Sequence, residues 1–544
     1  MQTYFNKWLL LCLLSTSFGC LSYEKENTQK KNIKSPNIIV IMADDLGFSD
    51  IKPYGGEINT PSLQQLANDG VKFGRFYTSL TCSPSRSMLL TGSDNHIVGL
   101  GNMAETIADN QVGLPGYETH LNFSASTLPE ELKKRGYNTF MAGKWHLGLE
   151  KAYSPTARGF DKTFALLFGG GSHYQNGFGI DIYRKKSLYR ENGQLIEKLP
   201  EGFFSSDFYT NRIIENIKAD QSSNKPFFAY LAFTAPHWPL QFPPDYNGKY
   251  KDTYTQGWQS IRSKRITRLK KLGLLANNID HAALSSNLPN WQSLTESERK
   301  LAAKDMEIYA AMVDNMDVNI GRLTDFLKEI GEYENTAILF LSDNGADSWG
   351  AKKIPKEIEE FADTFDNSLE NRGNINSFVL YGQHWARVSS TPFRAFKGNT
   401  TDGGMRVPAV LKLPNKQVGL YQQSVGIEQI KSLMLTLSEQ PDITLREALS
   451  VNHKVKYLGR ELWGKVGVID ENWKLIKLPP PIGSGQWQLF NTDNDPSELN
   501  DLSKIKPKKM KEMLMLWQEY IDETKLVLPQ GKFKIRAGGE LPKD

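Results

Sequence analysis

Four short and nearly unbroken apolar runs punctuate the chain, and each breaks off into polar residues. NIIVIM (37–42) runs into Asp44-Asp45, YNTFMA (137–142) into Gly143-Lys144-Trp145-His146, PFFAYLAF (226–233) into Ala235-Pro236-His237, and TAILFLS (336–342) into Asp343-Asn344-Gly345. Apolar runs of this length without polar alternation predict central parallel strands buried on both faces. Between them, helical periodicity dominates. It is clearest over 299–330, where Tyr309, Met312, Met316, Ile320, Leu323, Leu327 and Ile330 recur at three- and four-residue steps and predict one core-facing stripe. Alternating strands and helices predict an α/β fold, a large mostly parallel central sheet flanked by helices on both faces. From about residue 457 the pattern changes to ELWGKVGVI, NWKLIKL and GQWQLFNT, with Gly, Asn and Pro between them, followed by a helical stretch over 506–524. That tail predicts a smaller antiparallel-sheet subdomain over 446–544, set against a main domain over 35–445.

In open parallel sheets, ligands bind beyond the carboxyl ends of the strands. All four polar clusters fall at such ends. Asp44, Asp45, Asp343 and Asn344 are hard oxygen donors from two strand ends, the set expected of Ca²⁺ or Mg²⁺ rather than zinc. Two such sets on neighbouring strands repel unless a positive charge lies between them. The span 247–296 reads as a surface excursion with helical content, and its basic stretch RSKRITRLKK (262–271) as a solvated face.

The N-terminus changes the picture of where this chain works. Lys7 precedes WLLLCLL (8–14), an apolar core too short to span a bilayer comfortably, which predicts a signal peptide over 1–20 and export. It ends in STSFGC, which resembles a bacterial lipoprotein cleavage site, with Cys20 as the residue lipidated and Ser17 where an aliphatic residue is usual. An acyl chain there would attach the protein to a membrane through a solvated tether over 21–34, and plain secretion is the alternative. The expected location is the periplasm, or the outer membrane as a bacterial lipoprotein. Lys plus Arg total 65 against 61 Asp plus Glu, so a formal charge of +4 gives no nucleic-acid signature.

Of three cysteines, Cys12 leaves with the signal and Cys20 is the lipid site, so the mature body keeps Cys82 alone, in TCSPSRSMLLTG (81–92). No internal disulfide can form. Ser83 is a good N-cap and Pro84 a good first helical residue, so a helix is expected to begin directly after Cys82. The positive helix end there favours an anion and would depress a thiol pKa, and Arg86 lies one turn on, placed to reach an oxyanion or the residue-82 side chain. Local chemistry therefore predicts a nucleophile beside an anion site.

C-S-P-S-R with the following LLTG (89–92) resembles the signature of the type I sulfatases, in the alkaline-phosphatase-like superfamily. The likeness extends through ADDLG (43–47), GKWHLG (143–148), APHWPL (235–240), LSDNGA (341–346) and PFRAFKGNTTDGGMRVP (392–408). TGSDNHIVGLGNMAE and RGFDKTFALLFGGGSHY look closest to the bacterial arylsulfatase branch. The chain departs from the family at 426–439, where GIEQIKSLMLTLSE lacks a D-x-x-P-T helix start.

The resemblance implies that Cys82 is oxidised by a maturation enzyme to formylglycine, whose hydrate is the nucleophile. It implies that Asp44, Asp45, residue 82, Asp343 and Asn344 hold one Ca²⁺, and that Arg86 orients the hydrate. Lys144, Lys397 and His237 would bind substrate, Asp343 would accept the nucleophile's proton, His237 with Lys397 would protonate the leaving oxygen, and His146 would deprotonate the second hydroxyl. The implied activity is hydrolysis of aryl or alkyl sulfate monoesters to alcohol and inorganic sulfate. Alternatives are a carbohydrate sulfatase, a phosphonate or phosphate ester hydrolase, or a tethered binding protein with an unmodified thiol. His96 and His173 either border the pocket or make structural hydrogen bonds, His384 is a candidate substrate contact, and His120, His281 and His453 are incidental. Trp145, Trp238, Trp349 and Trp385 lie near motif loops, where they could wall a ring-shaped substrate.

Overall fold

In the computed structural model, residues 34–279, 290–350, 354–451, 456–531 and 534–536 are described, so the signal peptide with Cys12 and Cys20, most of the tether, His281 and His453 lie outside them. The four apolar runs are strands Asn37–Ala43, Asn138–Lys144, Phe227–Ala232 and Thr336–Ser342. They lie side by side and parallel at the centre of a ten-stranded sheet, in the order Thr336, Asn37, Phe227, Asn138, with Lys162–Leu166 parallel beyond them. Short antiparallel additions at both edges make the sheet mixed.

Both faces are buried, and the side chains of one strand show how. Ile39 and Ile41 enter one core, Ile38, Val40 and Met42 the other. Each fully buried aliphatic side chain contributes about 1.5–3 kcal/mol, so a one-residue slip of such a strand is costly on both sides. The first core receives helices Pro61–Asn68, Ser205–Asp220, Gly257–Lys271 and Glu296–Glu329. The second receives Cys82–Thr91, Leu128–Lys134, Gln429–Glu439 and Leu445–Ser450. The long helix begins at Glu296, three residues before the expected start at 299, because Thr295 and Glu298 form a reciprocal capping box. The segment without the D-x-x-P-T start still forms a helix, Gln429–Glu439, packed in the second core.

The stretch RSKRITRLKK is not a wholly solvated face. Arg262 and Arg265 are buried in the Gly257–Lys271 helix, one residue turn apart and on the same side as Ile261, Ile266 and Leu269. Arg265 pairs with Asp50 and Glu57, and Arg262 donates to the carbonyls of Arg387 and Pro392. Charge at a three-residue step within an apolar stripe marks a buried ion pair as well as it marks solvent.

The tail is the antiparallel meander expected: Leu458–Leu462, Lys465–Asp470, Trp473–Lys477 and Trp487–Asn491. Helix Pro507–Thr524 covers it, with Met513, Trp517 and Tyr520 on Val466, Val468, Leu475 and Leu489. Residues Ser35–Asp544 form one compact unit that includes this sheet. Its first hairpin turns through Trp463 (φ 57°) and Gly464 (φ 75°), a two-residue turn with both φ angles positive. A tryptophan at that position is unusual, and it projects from the turn into the cleft described next.

Candidate active site

The carboxyl ends of the four central strands converge on the N-terminal end of helix Cys82–Thr91. Thr81, in extended conformation, is the residue preceding that helix, so Cys82 sits in its first turn and Ser83 is not the N-cap. Pro84 then falls two residues further into the turn, where its missing N–H costs nothing.

Around Cys82, three carboxylates face three cations. Asp44 Oδ2 is 2.6 Å from Lys144 Nζ, Asp45 Oδ1 is 2.7 Å from Lys397 Nζ, and Asp343 Oδ2 is 2.8 Å from Arg86 Nη2. Arg86 also donates to the Lys144 carbonyl at 2.8 Å, which ties the Cys82 helix to the end of the Asn138–Lys144 strand. Its hydrogen bonds go to Asp343, that carbonyl and, at 3.5 Å, Tyr230 Oη; the Cys82 thiol instead lies 3.4 Å from Asp44 Oδ1. Asn344 donates to Asp45 Oδ1 at 2.6 Å, while its own Oδ1 is buried without a hydrogen-bond partner among the described residues.

Ligand atoms of Asp44, Asp45, Cys82 and Asp343 all lie within 4.8 Å of one another. Burial first, and then the neighbouring carboxylates, push Asp45 well above the usual range, and Asp44 up to about 6 despite Lys144. Asp343 is held down at about 2, because Arg86, with Lys144 and Lys397, outweighs its burial. A divalent cation among these oxygens would relieve the repulsion and satisfy Asn344 Oδ1, so the donors fit a hard metal ion. It would also tip a balanced cluster to net positive charge, as binding an anionic ester requires.

The helix end does not depress the Cys82 thiol as the sequence suggested. Burial, reinforced by Asp343, pushes its pKa well up. Lys144 and Lys397 stay protonated, their burial outweighed by Asp44 and Asp45 respectively. His237 lies with Nε2 3.6 Å from Asp45 Oδ2 and Nδ1 against the Trp238 carbonyl, and burial, then Lys144 and Lys397, hold it well below its ordinary pKa. His146 Nε2 is 3.1 Å from Glu105 Oε1, and burial lowers its pKa although Glu105 opposes this. Asp45 (φ 66°) and His146 (φ 55°) are both in the left-handed region, a cost of about 1–3 kcal/mol each that the surrounding packing sustains.

Cys82, His146, His237 and Lys397 open onto one cleft. Trp238 and Trp349, with ring centroids 5.5 Å apart, form one wall, and Met103, Ile180 and Trp463 others. Trp145 and Trp385 are buried packing residues, not cleft walls. His384 packs on Trp258 away from the cleft. His173 is structural, with Nδ1 2.6 Å from Ser205 Oγ and Nε2 3.2 Å from the His237 carbonyl. His96 is structural too, between Asp94 at 2.8 Å and Glu461 at 3.2 Å. His120 stacks on Tyr153 and borders a neighbouring cleft. Sequence reasoning missed Glu105, Asp181, Arg184, Asp347 and Trp463, all lining the cleft from connecting segments. Glu105 ends the quoted run TGSDNHIVGLGNMAE, where a lone carboxylate carries no spacing signal.

A parallel α/β sheet that gathers an acidic hard-metal cluster, two lysines and two histidines around one helix end defines a hydrolase of anionic esters. The sulfatase family model matches residues 36–437, and the chain belongs to the sulfatase family, enzymes that hydrolyse sulfate esters. It is 39% identical to an uncharacterized sulfatase of Schizosaccharomyces pombe, over 94% of this chain and 97% of that one. It is 41% identical to an arylsulfatase of Klebsiella aerogenes, over 70% of this chain and 81% of that one. The fold matches the crystal structure of Ps i-CgsB with a TM-score of 0.62 at 24% identity, covering 90% of this chain and 93% of that one.

Proposed function

We propose that this sulfatase hydrolyses aryl sulfate monoesters, uses formylglycine formed from Cys82 by a maturation enzyme, holds one Ca²⁺, and is exported, with lipidation at Cys20. The observation that carries the substrate class is the Trp238–Trp349 wall standing beside Lys397 and His237, an apolar slot directly over an anion site.

Asp44, Asp45, Asp343 and Asn344 would hold the Ca²⁺, which when bound supplies positive charge that favours an ionised oxygen at residue 82. Cys82 is the one soft donor in an otherwise all-oxygen set, and its conversion to formylglycine would supply a hydrated aldehyde with two hydroxyls in that place. Lys144 Nζ and Lys397 Nζ bind the sulfate oxygens. Arg86, fixed on Asp343, holds the helix that carries residue 82. Asp343, ionised down to about pH 2, accepts the nucleophile's proton. An anionic substrate between Lys144 and Lys397 offsets the two charges that add to burial in holding His237 low, so that His237 Nε2 can carry the proton to the leaving oxygen with Lys397 beside it. His146 takes the proton whose removal releases sulfate.

A second reading, a sulfated sugar, is favoured by an adjoining cleft that shares Thr106, Trp349 and Trp463 with the first and offers room for an extended leaving group. Turnover of 4-nitrophenyl sulfate, 4-nitrophenyl phosphate and a sulfated monosaccharide separates the readings. The aryl sulfate is expected to be fastest; a preference for the sugar selects the second reading, and a preference for phosphate ends both. Mass spectrometry of the 76–86 tryptic peptide from the native host is expected to show the aldehyde or its hydrate at position 82, and an unmodified thiol sinks the formylglycine proposal. Cell fractionation with labelled fatty acid tests export and lipidation.

A further inference from the structure

His146 is held by two contacts from residues to which the sequence analysis gave no role. One is Gly169, where a Cβ would lie 2.7 Å from His146 Cε1, so only a glycine lets the ring lie against that backbone. The other is Glu105, whose Oε1 is 3.1 Å from Nε2. Glu105 is itself anchored: its main-chain carbonyl accepts from Arg536 N at 2.9 Å, and its Oε2 lies 3.9 Å from Arg184 Nη1. Arg184 is in turn fixed by Asp181, with Nε donating at 2.9 Å and Nη2 closer still. On the other side of the ring, His146 Nδ1 is buried without a hydrogen-bond partner among the described residues.

An ionised carboxylate only accepts hydrogen bonds, so a neutral imidazole facing one must carry its proton on the facing nitrogen. We infer that Glu105 is the positioning residue that fixes His146 as the Nε2–H tautomer and leaves Nδ1 as the atom that accepts the proton during sulfate release. The inference rests on the role given to His146 above. When Nδ1 takes up a proton, both ring nitrogens carry hydrogen, and the positive charge lies against Glu105, which keeps its own charge and receives no proton. Glu105 stays ionised because His146 and Arg184 outweigh its burial. Burial, then Lys144 and Arg86, lower the pKa of the ring, and Glu105 raises it; Arg184 also lines the cleft beside it, paired with Asp181.

The test uses the full-length enzyme labelled with ¹⁵N-histidine, with His146 assigned by its loss in His146→Asn. In the wild type the nitrogen spectrum is expected to show His146 locked as Nε2–H when neutral. In Glu105→Gln, whose amide can donate as well as accept, both tautomers should appear, and kcat should fall about 10- to 100-fold. With Lys144 and Arg86 unopposed, the acid limb of the kcat profile should move to lower pH. Glu105→Asp, which still only accepts, should restore the single tautomer and most of kcat. A wild-type spectrum of the Nδ1–H form overturns the inference, as does a folded Glu105→Gln with unchanged tautomer and turnover. Should the wild type hydrolyse no sulfate ester, the functional reading fails, while the spectrum still decides the tautomer.

Discussion

Asp44, Asp45 and Asp50 leave the end of one strand within seven residues, and all three are buried among cations, yet they belong to clusters of opposite character. Asp50 accepts from Arg265 Nη1 at 2.6 Å, from Tyr309 Oη at 2.7 Å and from Gly47 N at 2.9 Å, while Arg265 also grips Glu57 through two nitrogens. No side-chain atom of Asp50, Glu57 or Arg265 is among the buried polar atoms lacking a partner. Around Asp44 and Asp45, by contrast, Asn344 Oδ1 and His146 Nδ1 have none among the described residues, and a cleft opens onto the group. Burial and charge are common to both clusters. What separates structure from chemistry is unsatisfied valence with access from outside.

Substitutions should split the two clusters cleanly. Cys82→Ala should abolish measurable turnover of an aryl sulfate while leaving the melting temperature close to wild type, because a small buried side chain is removed without breaking an ion pair. Next, Lys144→Met should lower kcat/KM by about 10²–10³-fold, the usual cost of losing a group that stabilises developing negative charge. Arg265→Met should do the reverse: about 3–5 kcal/mol of stability lost in denaturant titration, as expected when one partner of a buried pair is removed, with kcat per folded molecule nearly unchanged. An Arg265 variant that folds normally but has lost turnover would merge the clusters again.

Smaller still is the effect at His96, buried between Asp94 and Glu461 and raised to about 9, where its hydrogen bonds to the two carboxylates outweigh burial. Because the folded value lies above the unfolded 6.5, its stabilisation is complete below about pH 6.5 and is lost as pH rises through about 9. Unfolding titrations at pH 6 and pH 9.5 should differ in wild type by on the order of 3 kcal/mol more than in His96→Gln. Least of all, Trp463→Ala should cost roughly 1 kcal/mol in kcat/KM for an aromatic ester and leave stability unchanged.

The central strands were legible because burial on both faces writes itself as continuous apolar runs, and the meeting of Asp44, Asp45, Lys144 and Asp343 at one sheet edge because each directly follows such a run, whereas Lys397 follows none. Cys82 was legible as the start of a helix, but not to the residue, since Thr81 supplies the extended conformation that a Ser-Pro pair seemed to assign to Ser83. Its thiol was misjudged because a helix end is a weak local field beside the burial of the group, which Asp343 reinforces. Glu105, Arg184 and Trp463 reach the site from segments far apart in the chain, and no local pattern announces such a meeting. The buried Arg262 and Arg265 were readable in principle, from their three-residue step along an apolar helix face.

The Trp463–Gly464 turn carries a further consequence. The groups proposed to break the ester cluster at the end of the parallel sheet and the helix that begins at Cys82, whereas Trp463, in the same cleft wall, comes from a hairpin in the last hundred residues. Reactivity and taste are thus inherited through separate segments. A lineage can revise the two-residue tip and acquire a new diet without disturbing the nucleophile, and an engineer can treat that tip as an interchangeable bit on a fixed handle.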